Sequence, residues 1–410
     1  MKASAPPPRL TEWVMKWGVG VVAVLLGALL LFVFVHSAVA VLSMGDVGLY
    51  RWWGEAISRG AIPYRDVPIE YPPGAVPLFL LPALVTGSLS TYSIAFGGVV
   101  GSAGAVALVL AARTGTMLAP ATPAWALRTL AAALMIGLLA SVALTRFDLV
   151  PAALTVAALY ALTNERRSWA GVLLGAAIAV KVYPVVVVPV AATYIWQRGG
   201  LRSAAAFGAP MAAVLGLAFL PFVLVAPDGI GQSLSGQLQR PLHVESVGAS
   251  ILWLAHEAGI TSWAVQPTYF NLSFPHADLV AASSTVLGLG VLLYLWSRHA
   301  RREAGAHSLI QYSFASVAVF VVFAKVLSPQ FLIWLVVMVP ALRGTRANVT
   351  VALLLGAVAA TALYFPRGFV AAVTSLDPLW LNMILARNVL LAAMVLVLVA
   401  PWIWRSATSR

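Results

Sequence analysis

The 410-residue chain contains no cysteine, and only 9% of its residues are charged. The missing cysteine excludes disulfide bonds, thiolate nucleophiles and thiolate metal ligands. The charged fraction is far below the value of about 25% that is typical of soluble domains. Because 61% of the residues are also hydrophobic, we predict an all-α, polytopic protein whose helices cross a lipid bilayer.

Negative charge is scarce: the chain has 13 Asp and Glu residues and 25 Lys and Arg residues, which gives a formal net charge of +12. The basic residues are scattered at the ends of apolar segments, so they report membrane orientation and do not indicate nucleic-acid binding. The sequence has no HExxH, Walker A or GxGxxG motif and no metal-binding spacing of histidines. Soluble nucleotide chemistry is therefore unsupported, and we expect no cofactor, with dependence on a divalent metal left open.

Apolar segments of roughly spanning length, about 17–25 residues, recur along the chain. Segment 74–90 is apolar too, but Pro77, Pro82 and Gly87 interrupt it, and we expect it to enter the membrane and return to the same side. The whole chain, 1–410, is then one membrane domain that begins with a disordered cytoplasmic tail at residues 1–10. We predict twelve spans, near residues 17–42, 91–112, 126–145, 148–163, 168–182, 184–197, 204–226, 278–298, 308–325, 329–342, 348–365 and 380–404.

The distribution of charge favours this topology. It places 16 of the 25 basic residues on the cytoplasmic side, together with both termini and only three acids, as the positive-inside rule requires. A full crossing by 74–90 would turn the basic clusters at 165–167 and 298–303 outwards. The outer side then has its largest loop at 227–277 and collects ten of the thirteen acids, which are Asp46, Glu55, Asp66, Glu70, Asp148, Asp228, Glu245, Glu257, Asp278 and Asp377.

The first outer loop, residues 44–73, contains an amphipathic pattern. Apolar residues recur at i, i+3, i+4, i+7 and i+8 with charges on the other face, which predicts a helix lying in the membrane interface and ending at Gly60. Asp46 directly precedes this helix. It is either the helix N-cap or a general base for an acceptor hydroxyl, and the two roles are compatible. The apolar stripe is Leu49, Trp52, Trp53, Ala56 and Ile57, and the charged face is Arg51, Glu55 and Arg59.

Further candidates lie at the outer ends of the predicted spans. Lys181 interrupts an apolar run and either contacts a phosphate or snorkels to the surface. Arg240, His243 and Glu245 fall within six residues and either bind a phosphate or form a solvated loop with one ion pair. The candidate substrate-binding residues are Glu70, Tyr71, Arg51, Lys181, Tyr183, Arg240, His243, Glu245, Lys325 and Gln330.

The end of the first outer loop, Glu70 and Tyr71, is expected to meet Asp46 over the membrane surface. The alternative for Glu70 is a simple loop residue that pairs with Arg65 or Arg51.

Two further residues or turns are expected to be structural. In the turn at 146–148 we expect a local ion pair between Arg146 and Asp148, and His36 is expected to be a structural histidine inside the first span.

The order in which these motifs follow one another is the strongest family signal. The first outer loop opens with Gly45-Asp46, continues with Pro63-Tyr64-Arg65-Asp66 and ends with Glu70-Tyr71-Pro72-Pro73. Later motifs are Lys181-x-Tyr183-Pro184, Arg240-x2-His243-x-Glu245-Ser246 and Ser328-Pro329-Gln330-Phe331-x2-Trp334. Over nearly its whole length the chain resembles the GT-C superfamily of membrane glycosyltransferases, in particular the polyprenyl-phosphate-mannose-dependent α-mannosyltransferases of actinobacteria.

That resemblance implies a lipid-linked sugar donor, an outward-facing site and an acidic base in the first outer loop, which carries over to Asp46. Lys181 and Arg240 would hold the donor phosphate, and transfer would invert the anomeric centre. Some relatives have a metal-binding Asp-Asp or Asp-x-Asp where this chain has a single Asp, which puts metal dependence in doubt.

We therefore expect a glycosyltransferase of the cell membrane that moves a sugar from a polyprenyl phosphate to a lipid-anchored glycan. Among the possible sugars we prefer a hexose, and in particular mannose. The alternatives are transfer of arabinofuranose or another pentose from a decaprenyl-phosphate donor, transport or flipping of a lipid-linked substrate, and a non-catalytic scaffold. A transporter would place ionisable groups near the bilayer midplane, whereas in this chain they stand at the outer ends of spans.

Overall fold

The computed structural model describes residues 46–120, 124–266, 270–272, 276–303 and 305–407. The predicted tail at 1–10, the predicted span at 17–42 and His36 lie outside the described residues. Within them the prediction of an all-α fold is confirmed, apart from one short ribbon in which Val265 pairs with Leu272.

Helices form nearly all of the regular structure in these residues. In chain order they are α1 Val47–Ser58, α2 Val76–Val85, α3 Leu89–Leu118, α4 Ala124–Leu138, α5 Ala140–Ala143, α6 Leu149–Thr163, α7 Arg167–Val180, α8 Val188–Val225, α9 Pro227–Gln239, α10 Val247–Glu257, α11 Ala277–Ala300, α12 Ala306–Phe323, α13 Phe331–Val336, α14 Thr345–Tyr364, α15 Arg367–Thr374 and α16 Pro378–Ala407. Short 3₁₀ turns cover Pro73–Ala75, Tyr183–Val187 and Val339–Ala341, and the antiparallel ribbon joins β1 Val265–Gln266 to β2 Asn271–Leu272.

Six helical stretches of the described part are long and apolar enough to cross a membrane, which is the pattern of a multi-pass membrane protein. Shorter apolar helices fall below the about 20 residues of a full span, so the count of twelve crossings stays a prediction. Every predicted span from 91–112 onwards nevertheless coincides with helical structure. The six long stretches are Leu89–Leu118, Tyr183–Val225, Ala277–Ala300, Ala306–Phe323, Thr345–Tyr364 and Pro378–Ala400.

Helix α8 is interrupted where two predicted spans, 184–197 and 204–226, adjoin. Gly199 has non-helical angles (φ −165°, ψ 16°), and Gly200 has a positive φ of 59°. A positive φ is accessible to glycine because it has no Cβ. The two glycines therefore end one apolar helix and begin the next.

The buried face of α1 differs from the predicted stripe. Val47, Tyr50 and Trp53 are buried, whereas Leu49 and Trp52 are 42% and 52% exposed. The helix turns this face inwards because an aromatic cluster and helix α2 cover it. In a membrane protein apolar side chains also suit the lipid side, so apolar spacing alone does not identify the face that packs.

Helix α2 lies within segment 74–90, which we expect to enter the membrane and return to the same side. It has ten residues and is about 15 Å long, half of the about 30 Å hydrocarbon core. Gly74, just before it, lies against the backbone of Ala179 and Val180. After it, the Gly87 carbonyl accepts a hydrogen bond from the Arg51 guanidinium at 3.4 Å. Both ends of the segment thus contact elements that the charge pattern assigns to the outer side.

Residues from the predicted cytoplasmic loops contact one another. Arg198 forms an ion pair with Glu165 at 2.6 Å, and Arg128 donates to the Asn348 side chain at 2.8 Å. Helix α6 separates this end of the molecule from the turn at 146–148, which belongs to the predicted outer end. These two contacts agree with the predicted grouping of the loops, and their assignment to the two sides of the membrane stays a prediction.

Two apolar clusters fill the interior of the described residues. The larger joins the first outer loop to the membrane helices through residues such as Tyr50, Phe79 and Phe147. The smaller lies between the large outer loop and helices α14 to α16, and it includes Trp253, Trp263 and Tyr364. Together they hold both outer loops over the same end of the bundle.

Candidate active site at the outer end

Asp46 stands directly before helix α1 but does not cap it. Its side chain accepts no backbone hydrogen bond from the helix, so the N-cap interpretation is wrong. The carboxylate instead forms an ion pair with Arg146, and the hydroxyls of Tyr50 and Tyr71 lie 3.4 and 3.5 Å from Oδ2. The side chain keeps 31% of its surface exposed, so the carboxylate is held in place and open to a ligand.

Arg146 supplies a buried cation behind Asp46. Burial lowers the pKa of its guanidinium to about 10, and the charge of Asp148 offsets part of that effect. Arg146 is therefore protonated at neutral pH. A neighbouring cation favours the ionised form of a carboxylate, which is the form that a general base needs.

Asp148 is the centre of a second ion pair. Its Oδ1 accepts hydrogen bonds from Lys181 Nζ at 2.6 Å and from Trp334 Nε1 at 2.7 Å, and its side chain is only 1% exposed. The expected local pair of Arg146 with Asp148 is therefore wrong. Phe147 between them is fully buried, and the flanking side chains reach different partners. Asp148 was not among the sequence candidates, although it was one of few acids in an apolar chain.

Aromatic rings surround Lys181. Its ammonium lies 5.0 Å from the ring centroid of Phe147, 5.4 Å from Trp334, 5.5 Å from Phe331 and 5.8 Å from Tyr71. Such rings attract a cation through their quadrupoles. The snorkelling alternative for Lys181 is therefore wrong, since the side chain turns inwards to Asp148. Its predicted role at a phosphate stays a prediction.

Tyr183 packs against this group of aromatic rings, and Gln330 precedes one of them in the chain. The Tyr183 ring stacks on Trp334 with 3.9 Å between centroids and parallel planes. Gln330 occupies the position before helix α13, directly before Phe331, whose ring lies over Lys181. Tyr183 thus fixes the ring that binds Asp148, which is a structural role and not a direct contact with an exposed ligand.

Tyr71 joins the end of the first outer loop to Asp46, as expected. Its ring meets Phe147 edge-on at 4.7 Å. Burial is the main cause that raises the pKa of Tyr71 to about 12; the hydrogen bond with Tyr50 opposes this shift, and the charge of Asp148 adds to it. The hydroxyl is therefore neutral and able to donate. Glu70, the residue before Tyr71, lines the same cavity as Arg240.

The motif at 240–245 divides into an accessible and a buried part. Arg240 lines a cavity at the outer surface, but His243 and Glu245 are buried. The His243 amide donates to the Lys325 carbonyl at 2.8 Å, and the Lys325 ammonium donates to the Leu238 carbonyl. The expectation of a solvated loop is wrong because β2 and helices α14 and α16 cover this segment.

Glu245 anchors the large outer loop to the C-terminal helices. Arg387 Nη1 lies 3.1 Å from its carboxylate, and the Tyr364 hydroxyl donates to the same oxygen. The Asn388 amide donates to the Glu245 and Ser246 carbonyls at 3.1 Å each. These contacts make Glu245 a structural residue. A charged residue within an apolar helix, such as Arg387, indicates a buried partner, but the sequence did not identify Glu245 as that partner.

Arg51, the remaining candidate, lies away from the Asp46 carboxylate. It pairs with Glu55 at 2.6 Å, and Arg65 pairs with Asp66 at 2.9 Å. Within the described ranges no group of three or more His, Asp or Glu side chains is placed to hold a metal ion.

Comparison with known protein families matches residues 70–329 to Glycosyltransferase family 87. The match covers more than half of the chain and includes Glu70, Asp148, Lys181 and Arg240, while Asp46 precedes it. No curated protein matches the chain.

Replacing Asp148 with Asn is expected to destabilise the protein strongly. The substitution leaves the Lys181 ammonium buried without its counter-charge, which typically costs about 3–5 kcal/mol of unfolding free energy. Thermal unfolding in detergent measures the effect. Asp66→Asn is the matched control, because that acid pairs at the exposed surface and should leave the melting temperature unchanged. Equal melting temperatures for the two variants would contradict this account of Asp148.

Burial gives His243 a testable pH dependence. It lowers the pKa of His243 to about 3, and Arg240 and Arg387 contribute in the same direction. Between about pH 3 and about 6.5 the unfolded state therefore binds one more proton than the folded state, so stability falls as pH falls, by about 1.4 kcal/mol per pH unit.

The variant His243→Gln lacks this titration. We expect it to be less stable than the wild type at pH near 7.5, with a difference in melting temperature that narrows as the pH is lowered towards 5. A difference that stays constant or widens over this interval would show that His243 does not titrate as its burial indicates.

Proposed function

Because the chain belongs to glycosyltransferase family 87, we propose that it transfers a sugar from a polyprenyl-phosphate donor to a lipid-anchored glycan. Mannose is the sugar we propose first, and arabinofuranose or another pentose on a decaprenyl-phosphate donor is the alternative. The proposed donor and acceptor both have lipid parts, which suits a site at the end of a bundle of apolar helices.

The observation that carries this proposal is the partly exposed carboxylate of Asp46, held by Arg146 beside Tyr71. In the proposed reaction Asp46 takes the proton of an acceptor hydroxyl. That oxygen attacks the anomeric carbon, and the bond from this carbon to the phosphate oxygen breaks. Polyprenyl phosphate leaves with the bonding electrons, and the single displacement inverts the anomeric centre.

The leaving phosphate needs positive charge on the side of the sugar opposite the base. Lys181 and Arg240 are the proposed contacts. The Lys181 ammonium lies 5.8 Å from the centroid of the Tyr71 ring, and Arg240 lines the same cavity as Glu70, the residue before Tyr71. The ammonium of Lys181 is shared with Asp148, so Arg240 would provide the more accessible cation. An arginine can bind phosphate with two parallel hydrogen bonds.

We further propose that the protein spans the cell membrane twelve times, with both termini in the cytoplasm and the site on the extracytoplasmic face. The positive-inside distribution and the contacts between predicted cytoplasmic loops support this topology. The short helix α2, with both ends near outer elements, supports a re-entrant course for 74–90.

Transport of a lipid-linked substrate is the candidate function from another class. It gains no support from the ionisable side chains of the described residues, because the ion pairs around Asp46 and Asp148 gather at one end and not at the midplane. The family assignment also favours chemistry.

Purified protein with a panel of polyprenyl-phosphate sugars tests the proposal. Release of free polyprenyl phosphate is followed with a membrane-lipid extract as acceptor. The wild type should turn over one donor, and Asp46→Asn should lose about 10²–10⁴-fold in rate, as expected for a general base. Glu257→Gln, which changes an exposed acid of the large outer loop that does not line the cavity at Arg240, is the control and should retain activity.

Near-normal rates for Asp46→Asn would remove Asp46 from the role of base. No release from any donor by folded wild-type protein would contradict the proposed reaction itself and favour transport or a scaffold.

A further inference from the structure

A cavity of about 590 Å³ opens at the outer surface beside the proposed site. One wall is the first outer loop from Tyr64 to Glu70, and the other is helix α9 of the large outer loop. We call this cavity the outer groove. Its volume lies within the range of about 300–1,000 Å³ that is usual for ligand sites. Of its lining residues the proposed reaction uses only Arg240.

Helix α9 presents one continuous polar stripe to the outer groove. Five lining positions follow the spacing i, i+3, i+4, i+7 and i+8, which puts them on one helical face about 12 Å long. This stripe consists of Gly229, Gln232, Ser233, Gly236 and Gln237, and the end of the helix adds Gln239 and Arg240 to the lining. Leu234 and Leu238, which are exposed and apolar, do not line the groove.

Two glycines of α9 shape the groove. A Cβ on Gly229 would collide with the Tyr64 carbonyl oxygen, so this glycine lets the helix dock closely on the first outer loop. A Cβ on Gly236, by contrast, would meet nothing within 4 Å. The groove is therefore open beside Gly236, and a side chain at this position would occupy part of the groove.

Asn271 gives independent evidence for a ligand. It lines the outer groove and is only 5% exposed, and its side-chain oxygen has no hydrogen-bond partner in the described part of the chain. Buried amide oxygens in folded proteins are nearly always hydrogen-bonded. A donor supplied by a bound molecule would satisfy this one.

The chemistry of the walls selects the class of ligand. Side-chain amides and hydroxyls both donate and accept hydrogen bonds, as the hydroxyls of a sugar do. The two acids of the lining, Asp66 and Glu70, are balanced by two arginines, Arg65 and Arg240, and Arg65 pairs with Asp66 at 2.9 Å. The groove therefore has no excess charge of either sign. The ligand that fits is a neutral, polyhydroxylated chain.

The outer groove also leads to the proposed site. Glu70 on its wall is followed by Tyr71, whose hydroxyl lies 3.5 Å from the Asp46 carboxylate. We propose that the outer groove binds the glycan of the acceptor over more than one sugar unit and directs its terminal hydroxyl to Asp46. This inference rests on the proposed function, but the binding itself is testable without it.

The test uses two glycines of the same helix. Gly236→Leu fills the groove, whereas Gly231→Leu is the matched control, because Gly231 also has open space around it and does not line the groove. Leucine is a better helix former than glycine, so both variants should fold. Saturation-transfer NMR measures the binding of neutral mannooligosaccharides of one to six units to the full-length protein in detergent.

We expect wild-type affinity to increase with oligosaccharide length. Gly236→Leu should weaken the longest ligand at least about tenfold, equivalent to about 1.4 kcal/mol, and Gly231→Leu should bind like the wild type. Asn271→Ala should weaken binding as well. In the transfer assay, Gly236→Leu should raise the KM for the acceptor and leave the KM for the donor unchanged.

The possible failures are distinguishable. If Gly236→Leu weakens oligosaccharide binding but the wild type turns over no donor, the groove is still a glycan-binding site. The proposed transfer reaction is then contradicted. Equal binding by Gly236→Leu and Gly231→Leu, or no oligosaccharide binding by the wild type, would overturn the groove proposal even if sugar transfer is observed.

Discussion

Two ion pairs between separate elements, Asp46 with Arg146 and Asp148 with Lys181, fix the outer end of this protein. Arg146 and Asp148 lie in the same turn. Arg146 contacts Asp46 at the start of the first outer loop, and Asp148 contacts Lys181 at the end of helix α7. Trp334 adds the segment around α13 by donating to Asp148. Because a buried charge is tolerated only when it is paired, each element requires the others to be in place. The outer site is therefore a property of the assembled bundle and not of any single loop.

The protein separates charges that face a ligand from charges that hold the structure. Asp46 and Arg240 remain accessible at the mouth of the site. Glu245 and Arg387 are sealed beneath the large outer loop and connect it to the C-terminal helices. Replacing buried ion pairs with apolar residues is often neutral or stabilising, so stability alone does not explain such pairs in a chain with only 9% charged residues. The pair of Glu245 with Arg387 positions the large outer loop, and the pair of Asp46 with Arg146 belongs to the proposed site.

Much of the fold could be predicted because the membrane restricts it. Apolar length identified the helices, and the break at Gly199 and Gly200 fell between two predicted spans. The face of α1 could not be predicted, since lipid and protein both accept apolar side chains. The partners of Asp148 and Glu245 could not be predicted either, because they lie far away along the chain, Trp334 being 186 residues from Asp148. Composition alone does not encode such pairings.

The most direct test of the central claim is an experimental structure of the Asp46→Asn variant with a polyprenyl-phosphate mannose bound. The account predicts the phosphate beside Arg240 and Lys181, the sugar against Tyr71, and the amide of residue 46 on the opposite side of the anomeric carbon. The lipid chain should leave the site between apolar helices. A donor bound at the cytoplasmic end, or one whose phosphate and residue 46 lie on the same side of the sugar, would contradict it.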